Sequence, residues 1–592
     1  MISDRNNFRI ILVLLPLFML AAGCASEQIL VSDTESVPGE PITELYLFAD
    51  DRDLRQLYAR NPRSDQRVEG YVRIGENGRI RTLRDGFRFR GNTSRYHPRK
   101  SFNIRFEHEQ PFLFNSSRMN LNSMYTDPSG MREKLAWDMF HELGQPASKT
   151  RYFALYINRK YEGLGIHVQR VDEVLLSQNG LNPNGTMVRD LTRRNNHLLG
   201  LERQSMFGHD VGSEPDVNEF LSQAFDSRWT SDWNALTEFL QWVHDTPPGD
   251  QFYSGFLEKV EAENFIDWLA VHYIIGDVDA YGDDYWLYKS PSSGSKWKFI
   301  PWDHDLSFGR NERDNVPENR ELGQYGNGLR QLSDFFAYEY PIDDGGWDNR
   351  LISSFLETPQ LKDQLLQRIE YLITDVFTHD YFREKIDAHK SVITSWMELQ
   401  PGDDRFILNE RQHHGEPGLL HLHAENLLDY IELRYAYLDR LLNPVEGDLY
   451  QAEATILSGS GGERILFTDS AGWTIAAFEA ANSDQSTTIS VTVAELPENV
   501  SLNGIQREWM FTSSNGPVHG NLTLYYRNDI APDGKDNWYT GPVAIGNQWE
   551  LAICDAEGGK CRADSNVNPF SNKVEARVTL DSESRFQLRY RD

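Results

Sequence analysis

Apolar and polar positions alternate with period two from Ile42 onward, which predicts strands over Thr43-Glu44-Leu45-Tyr46-Leu47-Phe48, Arg67 to Ile74 and Thr82 to Phe89. Glu76-Asn77-Gly78 reads as the hairpin turn between the last two. The period then changes. Leu135, Met139 and Leu143 recur at helical spacing, with Trp137 and Phe140 beside them, so Met131 to Leu143 is expected as a helix ended by Gly144. Tyr152 to Asn158 and Tyr161 to Val168 read as a strand pair, and Gln169 to Leu176 as a further helix. Residues 180–230 are polar and irregular, which predicts a surface excursion with partial helix. Helices follow at Ser231 to His244 and Asn264 to Ile275. The aromatic run Tyr285-Trp286-Leu287-Tyr288, a turn at Ser290 to Gly294, and Phe299-Ile300 make a hairpin whose second strand ends at Pro301. Residues 311–349 read as loop, and 351–374, 381–398 and 424–442 as amphipathic helices. After Asn443-Pro444 the helical windows stop. Short alternating strands such as Thr487 to Val493 and Leu522 to Tyr526 predict a β-sandwich.

The 592 residues carry a net charge of -30. That argues against a nucleic-acid partner, because such binding is driven by neutralising phosphates. The N-terminus reads as an export signal: Arg5 and Arg9 precede a 13-residue apolar run from Ile10 to Ala22. The run ends in Leu20-Ala21-Ala22-Gly23-Cys24, which resembles a bacterial lipobox and makes Cys24 the expected lipidation site. Ala25 after it would favour the outer membrane. The expectation is an exported lipoprotein of the cell envelope, held to the membrane only by its lipid. Residues 25–41 would be a polar tether, 42–445 the first domain and 446–592 the second. Cys554 and Cys561, the remaining cysteines, flank a short Gly-rich loop and suit a disulfide.

Chemistry concentrates in two places. Asp277, Asp279, Asp283, Asp284, Asp303 and Asp305 fall within 29 positions around the aromatic hairpin. Carboxylates at i and i+2 just past a strand end can share one hard cation. An acidic surface hairpin is the plainer alternative. The second place is a tight loop between strands, Arg90-Gly91-Asn92-Thr93-Ser94-Arg95 to Lys100-Ser101-Phe102. It holds Arg90, Arg95, Arg99 and Lys100 within eleven positions, a local reversal of sign that fits phosphate. Lys100 shares the apolar, inward face with Phe102, Ile104 and Phe106, and so needs an anionic partner. The alternative is a cationic edge strand.

The loop, the helix entry at Asp127, the hairpin Tyr161-Glu162-Gly163-Leu164-Gly165 and Pro301-Trp302-Asp303-His304-Asp305-Leu306-Ser307-Phe308-Gly309 together resemble the CotH family of atypical protein kinases over residues 42–445. The resemblance implies an α+β fold, a divergent two-lobed kinase-like domain followed by the β-rich one. It implies ATP with Mg²⁺ or Mn²⁺ and phosphoryl transfer to Ser or Thr of a protein acceptor. It assigns the phosphates to Lys100, helped by Arg90 and Arg95. It assigns the acceptor hydroxyl to Asp279, with Asp277 the other candidate, and the metal to Asp303, Asp305 and Asp284. Asp284 stands where the family usually has asparagine, and Gln169 where it commonly has glutamate. Two other readings stay open: a catalytically silent surface-binding protein, and a metal-dependent hydrolase of a small phosphorylated molecule.

Overall fold

The computed structural model describes residues 42–125, 127, 129–191, 199, 206–228, 233–277, 280, 284–308, 349–398, 420–443, 451–457, 462, 464–468, 474–481, 486–495, 504–525, 551–556, 560–568 and 573–590. The early strands close on themselves. β1 (Thr43–Phe48), β2 (Tyr71–Ile74), β3 (Ile80–Phe89), β4 (Phe102–Gln110), β5 (Ser116–Asn122), β6 (Thr150–Ile157) and β7 (Lys160–Val168) form a barrel in the order β1-β2-β3-β4-β5-β7-β6. The parallel pairing of β1 with β6 seals it. Alternate side chains therefore point into one lumen, where Leu45, Val72, Phe87, Ile104, Met119 and Phe153 are buried together. Helix α1 (Asp51–Ala59) is a helix that the strand reading passes over. Its start is set by Asp50, whose carboxylate accepts from Arg52 N at 2.8 Å.

Helix α2 (Arg132–Glu142) lies where its period places it, between β5 and β6. α3 (Glu173–Gln178) begins several residues later than the pattern suggests, because Asp172 caps it. The expected surface excursion is corrected by β8 (Thr186–Asp190) and β9 (Phe225–Ser227). With β10 (Tyr285–Lys289) and β11 (Trp297–Pro301) they form a second sheet, in the order β11-β10-β8-β9. β8 is an inner strand with Met187 and Val188 fully buried. A short strand covered on both faces shows no alternation, so its sequence looks irregular.

Helices α4 (Val217–Ala224), α5 (Asn234–Asp245), α6 (Asp250–Lys259) and α7 (Ala262–Ile275) precede β10, and α8 (Arg350–Glu357), α9 (Pro359–Tyr371), α10 (His379–Glu398) and α11 (Leu420–Leu442) follow β11. α7 is buried on every side from Asn264 to Ile275, as expected of a helix apolar all round. Gly276 ends it in the left-handed region at φ 59°, which costs a glycine nothing. One continuous core joins α2, α7, the second sheet and α8 to α11.

The C-terminal strands build two antiparallel five-stranded sheets. One runs β12 (Gln451–Ile456), β15 (Thr487–Glu495), β16 (Gly504–Ser513), β21 (Ser584–Tyr590), β18 (Leu551–Asp555). The other runs β13 (Arg464–Thr468), β14 (Thr474–Ala480), β17 (Val518–Tyr525), β20 (Lys573–Leu580), β19 (Asn566–Asn568). Phe467, Phe478, Trp509, Phe511 and Phe586 share one core. Cys554 is bonded to Cys561. The second of these sheets is tied to α11: Lys573 Nζ meets Asp429 at 2.8 Å, Arg464 meets Glu432 at 3.0 Å, and Leu433 packs with Ala477 and Tyr525.

Candidate functional site

The acids past β11 lie where the barrel, α2 and the second sheet converge. Pro301 ends the strand, and Asp303 turns the chain in a left-handed conformation at φ 58°. An aspartate tolerates that better than most residues, at a small cost in strain that persists only where the surroundings enforce it. Asp303 and Asp305 stay partly exposed, while His304 between them is fully buried.

His304 is an anchor. Its Nδ1 donates to Asp277 Oδ2 at 2.7 Å, and its ring packs 4.4 Å from Trp137 and 5.1 Å from Phe140 of α2. His272 Nε2 approaches the same carboxylate at 3.9 Å, with Nδ1 donating to Trp268 O at 2.6 Å. Burial pushes His304 down to about 3 and His272 well below its usual value, so both rings are neutral at physiological pH. Nitrogen and oxygen atoms of His272, Asp277 and His304 lie within 4.8 Å of one another, a spacing that could accept a metal ion. The short His304–Asp277 contact is already a hydrogen bond. It joins the segment entering the acidic stretch to the Asp303–Asp305 turn.

Opposite the turn stands Arg90, at the exit of β3. Burial lowers its guanidinium's pKa, while Asp303, Glu133 and Asp305 raise it. Glu133, in the first turn of α2, receives Asn122 Nδ2 at 3.0 Å on each oxygen. Burial, and then the charge of Asp303, push Glu133 up to about 7. Arg189 of β8 binds Asp284 at 2.7 Å. Trp302 is buried beside both guanidinium groups, its ring 6.0 Å from Arg90 and 5.8 Å from Arg189. The site is thus a crowded set of carboxylates with two arginines among them. It suits a hard cation carrying an anionic group.

Of the residues singled out in the sequence, Arg90, Asp303 and Asp305 are brought together, and Asp284 joins them through Arg189 and Trp302. Asp279 lies outside the described residues, as do Asp283 and Cys24. Arg95 turns to Asp65 at 3.1 Å and to Gly91 O at 2.7 Å. Lys100 precedes β4 rather than lying on its inward face. Its Nζ donates to Arg95 O at 2.7 Å and sits 5.4 Å over the Phe89 ring, so a carbonyl and an aromatic face stand where a carboxylate was expected. Gly91 holds the loop closed at φ 96°, where a Cβ would fall 1.8 Å from Ser94 Oγ. Sequence reasoning missed Glu133, Arg189 and the anchoring role of His304. An acid in the first turn of a buried helix and a histidine between two candidate ligands were the available signals. Arg189 had none, since β8 itself was not recognised.

The family described as CotH kinase protein matches residues 87–438. Inner spore coat protein H of Bacillus subtilis (strain 168) is 26% identical over 357 residues, covering 60% of this chain and 88% of that protein. Invasin CotH2 of Rhizopus delemar is 24% identical over 298 residues, 47% of this chain and 46% of the invasin. Invasin CotH3 of the same fungus is 23% identical over 206 residues, 33% of this chain and 32% of that protein.

Proposed function

The chain belongs to the CotH kinase protein family, and on that premise we propose that it is a protein kinase, transferring the γ-phosphoryl group of ATP to Ser or Thr of a protein acceptor. In this reading the barrel and the helical region are the two lobes of a divergent kinase fold. The protein works at the cell envelope, anchored through lipid on Cys24. The observation that carries the proposal is Arg90 set against Asp303, Asp305 and Glu133. A buried group of carboxylates, where burial and then the charge of Asp303 push Glu133 up to about 7, fits a divalent cation, Mg²⁺ or Mn²⁺.

Asp303 and Asp305, with Asp284, would hold the metal, which supplies charge neutralisation at the phosphates. Arg90 takes the phosphate oxygens. Arg189 balances Asp284 and fixes its orientation. Asp279 orients the acceptor hydroxyl. Support for Asp279 over Asp277 comes from burial, since the Asp277 carboxylate is fully enclosed against His304. The His304–Asp277 bond holds the two acidic segments in register, and α2 presents Glu133 to the same centre. Phosphoryl transfer asks the protein chiefly for such positioning and charge balance.

The names of the two invasins favour one further reading, a surface-binding protein that keeps the fold without turnover. Thermal unfolding with ATP and Mn²⁺ separates the two. The kinase reading expects the melting temperature of wild type to rise and that of Asp303→Ala to stay unmoved. A wild type indifferent to nucleotide and metal would sink it in favour of binding.

A further inference from the structure

The outer face of one C-terminal sheet carries a feature that shares no residue with the acidic centre. In β14, β17 and β20, Phe478, Leu522, Leu524, Val574 and Ala576 turn into the sandwich core. The residues between them therefore point outward. The strand register sets these in two rows. Arg464, Glu479, Asn521 and Arg577 stand opposite one another across β13, β14, β17 and β20. Ala477, Thr523, Glu575 and Asn566 make the next row.

The rows line a cavity of about 400 Å³. Thr523, short and buried, is set among the longer Glu479, Asn521, Glu575 and Arg577 and leaves the hollow between them. Its hydroxyl donates to Glu575 at 3.2 Å. One wall is fixed by the junction with α11. There Arg464 meets Glu432 of the helix at 3.0 Å, the Tyr525 hydroxyl at 2.7 Å and Glu575 at 3.5 Å. Junctions of this kind are where ligand pockets commonly form, and a wall held by strands and ion pairs is pre-formed.

The other lining groups are left with hydrogen-bonding capacity. Among the described residues, the Arg577 guanidinium and the Asn566 side-chain amide make no hydrogen bond or ion pair. Asn521 Nδ2 reaches Glu479 Oε2 at only 3.5 Å, and Asp564 accepts from the Arg577 backbone N–H through one oxygen, at 3.1 Å. Planar donors and planar acceptors thus face one hollow. Arg464 and Arg577 stand against Glu479, Asp564 and Glu575, so the charge is close to balance and a free anion gains little. A metal ion is not favoured either. Among the described residues, only His272, Asp277 and His304 bring three ligand atoms together.

We infer that this hollow binds a neutral saccharide of one or two units. Each sugar hydroxyl both donates and accepts, so neighbouring hydroxyls match planar groups that present two donors or two acceptors side by side. Arg577 and Asn566 would donate, and Glu479, Asp564 and the Asn521 carbonyl would accept. The lining is polar, with Phe478 turned to the core, which suits a ligand polar over its whole surface. The volume lies at the small end of ligand pockets, which sets the limit of two units. The site goes beyond the kinase reading and stands whether or not the chain turns over ATP.

Glucose, galactose, mannose, N-acetylglucosamine, cellobiose and chitobiose are suitable probes, followed by saturation-transfer NMR and calorimetry on the full-length protein. Inorganic phosphate and butylammonium are the charged controls. At least one saccharide is expected to bind, and more tightly than either control. Asn521→Ala and Arg577→Met change exposed side chains and leave the core intact. Each is expected to weaken that saccharide about tenfold, the effect of losing one good polar contact. Asp303→Ala is expected to bind it as wild type does, with ATP present or absent. Failure of all six saccharides to bind would overturn the inference. So would equal binding by wild type and both variants, tighter binding of a charged control, or displacement of the sugar by ATP.

Discussion

At the scale of residues, the centre depends on charges set close together by groups that do no chemistry themselves. Asp303→Ala removes a proposed metal ligand while leaving the Asp277–His304 bond in place. It should cut phosphoryl transfer by about 100-fold or more, the usual loss when one preorganised charge contact goes. His304→Phe keeps the aromatic packing and removes the bond to Asp277. If that bond sets the register of the acids, the variant should stay folded by circular dichroism yet need several-fold more Mn²⁺ for half-maximal stabilisation by ATP. Unchanged metal dependence would reduce His304 to a core residue. A different buried group contributes to the acid sensitivity of the fold. Burial alone would raise the Asp138 carboxyl, but Lys134 at 2.6 Å and His389 at 2.8 Å hold it well below its usual range. His389 is itself lowered, chiefly by burial. Both folded pKa values are depressed, so the unfolded chain binds protons first and both contributions are lost as pH falls. Melting temperature should decline from about pH 6.5, where the unfolded histidine titrates, and more steeply below about pH 4. Asp138→Asn should flatten the lower limb and cost roughly 3 kcal/mol by leaving Lys134 buried without its anion. Much of this scale was legible. Pro301-Trp302-Asp303-His304-Asp305 declared its acids by spacing past a strand end. Glu133 and Arg189 did not, because an acid on a buried helix and a cation on an inner strand acquire meaning only from partners far along the chain.

Among elements, α2 is the one on which the centre leans. It carries Glu133 on its first turn and Trp137 and Phe140 against His304. Trp137→Ala should cost about 3–5 kcal/mol through the cavity it leaves. Because the cavity opens beside His304, urea unfolding should show that loss together with weaker nucleotide-dependent stabilisation. The helix was readable from its period, as were β10 and β11 from aromatic runs broken by a Ser- and Gly-rich turn. β8 was not, for Met187 to Asp190 are buried in succession and show no alternation. α1 was overlooked for the opposite reason. Only Leu57 of its residues is buried, and a helix lying mostly in solvent leaves a weak apolar stripe.

For the whole molecule, alternation announced strands but not their closure, which rests on the parallel pairing of β1 with β6, more than a hundred residues apart in sequence. The mixed helix-and-sheet class was readable from the order of periods. The attachment of the C-terminal sheets to α11 was not, since it consists of pairs such as Asp429 with Lys573 and Glu432 with Arg464. Removing Lys573 by substitution to Met should cost roughly 3 kcal/mol by leaving Asp429 without its closest cation, and a double change with Asp429→Leu should recover part of the loss. Differential scanning calorimetry on the four proteins would show it. One measurement bears most directly on what the molecule does. Wild type and Asp303→Ala are incubated with γ-labelled ATP, Mn²⁺ and a casein acceptor, and label on protein is located by mass spectrometry. Phosphate on Ser or Thr with wild type alone is the expected result. Equal labelling by both proteins, or none by a wild type shown to be folded, would contradict a kinase centred on Asp303.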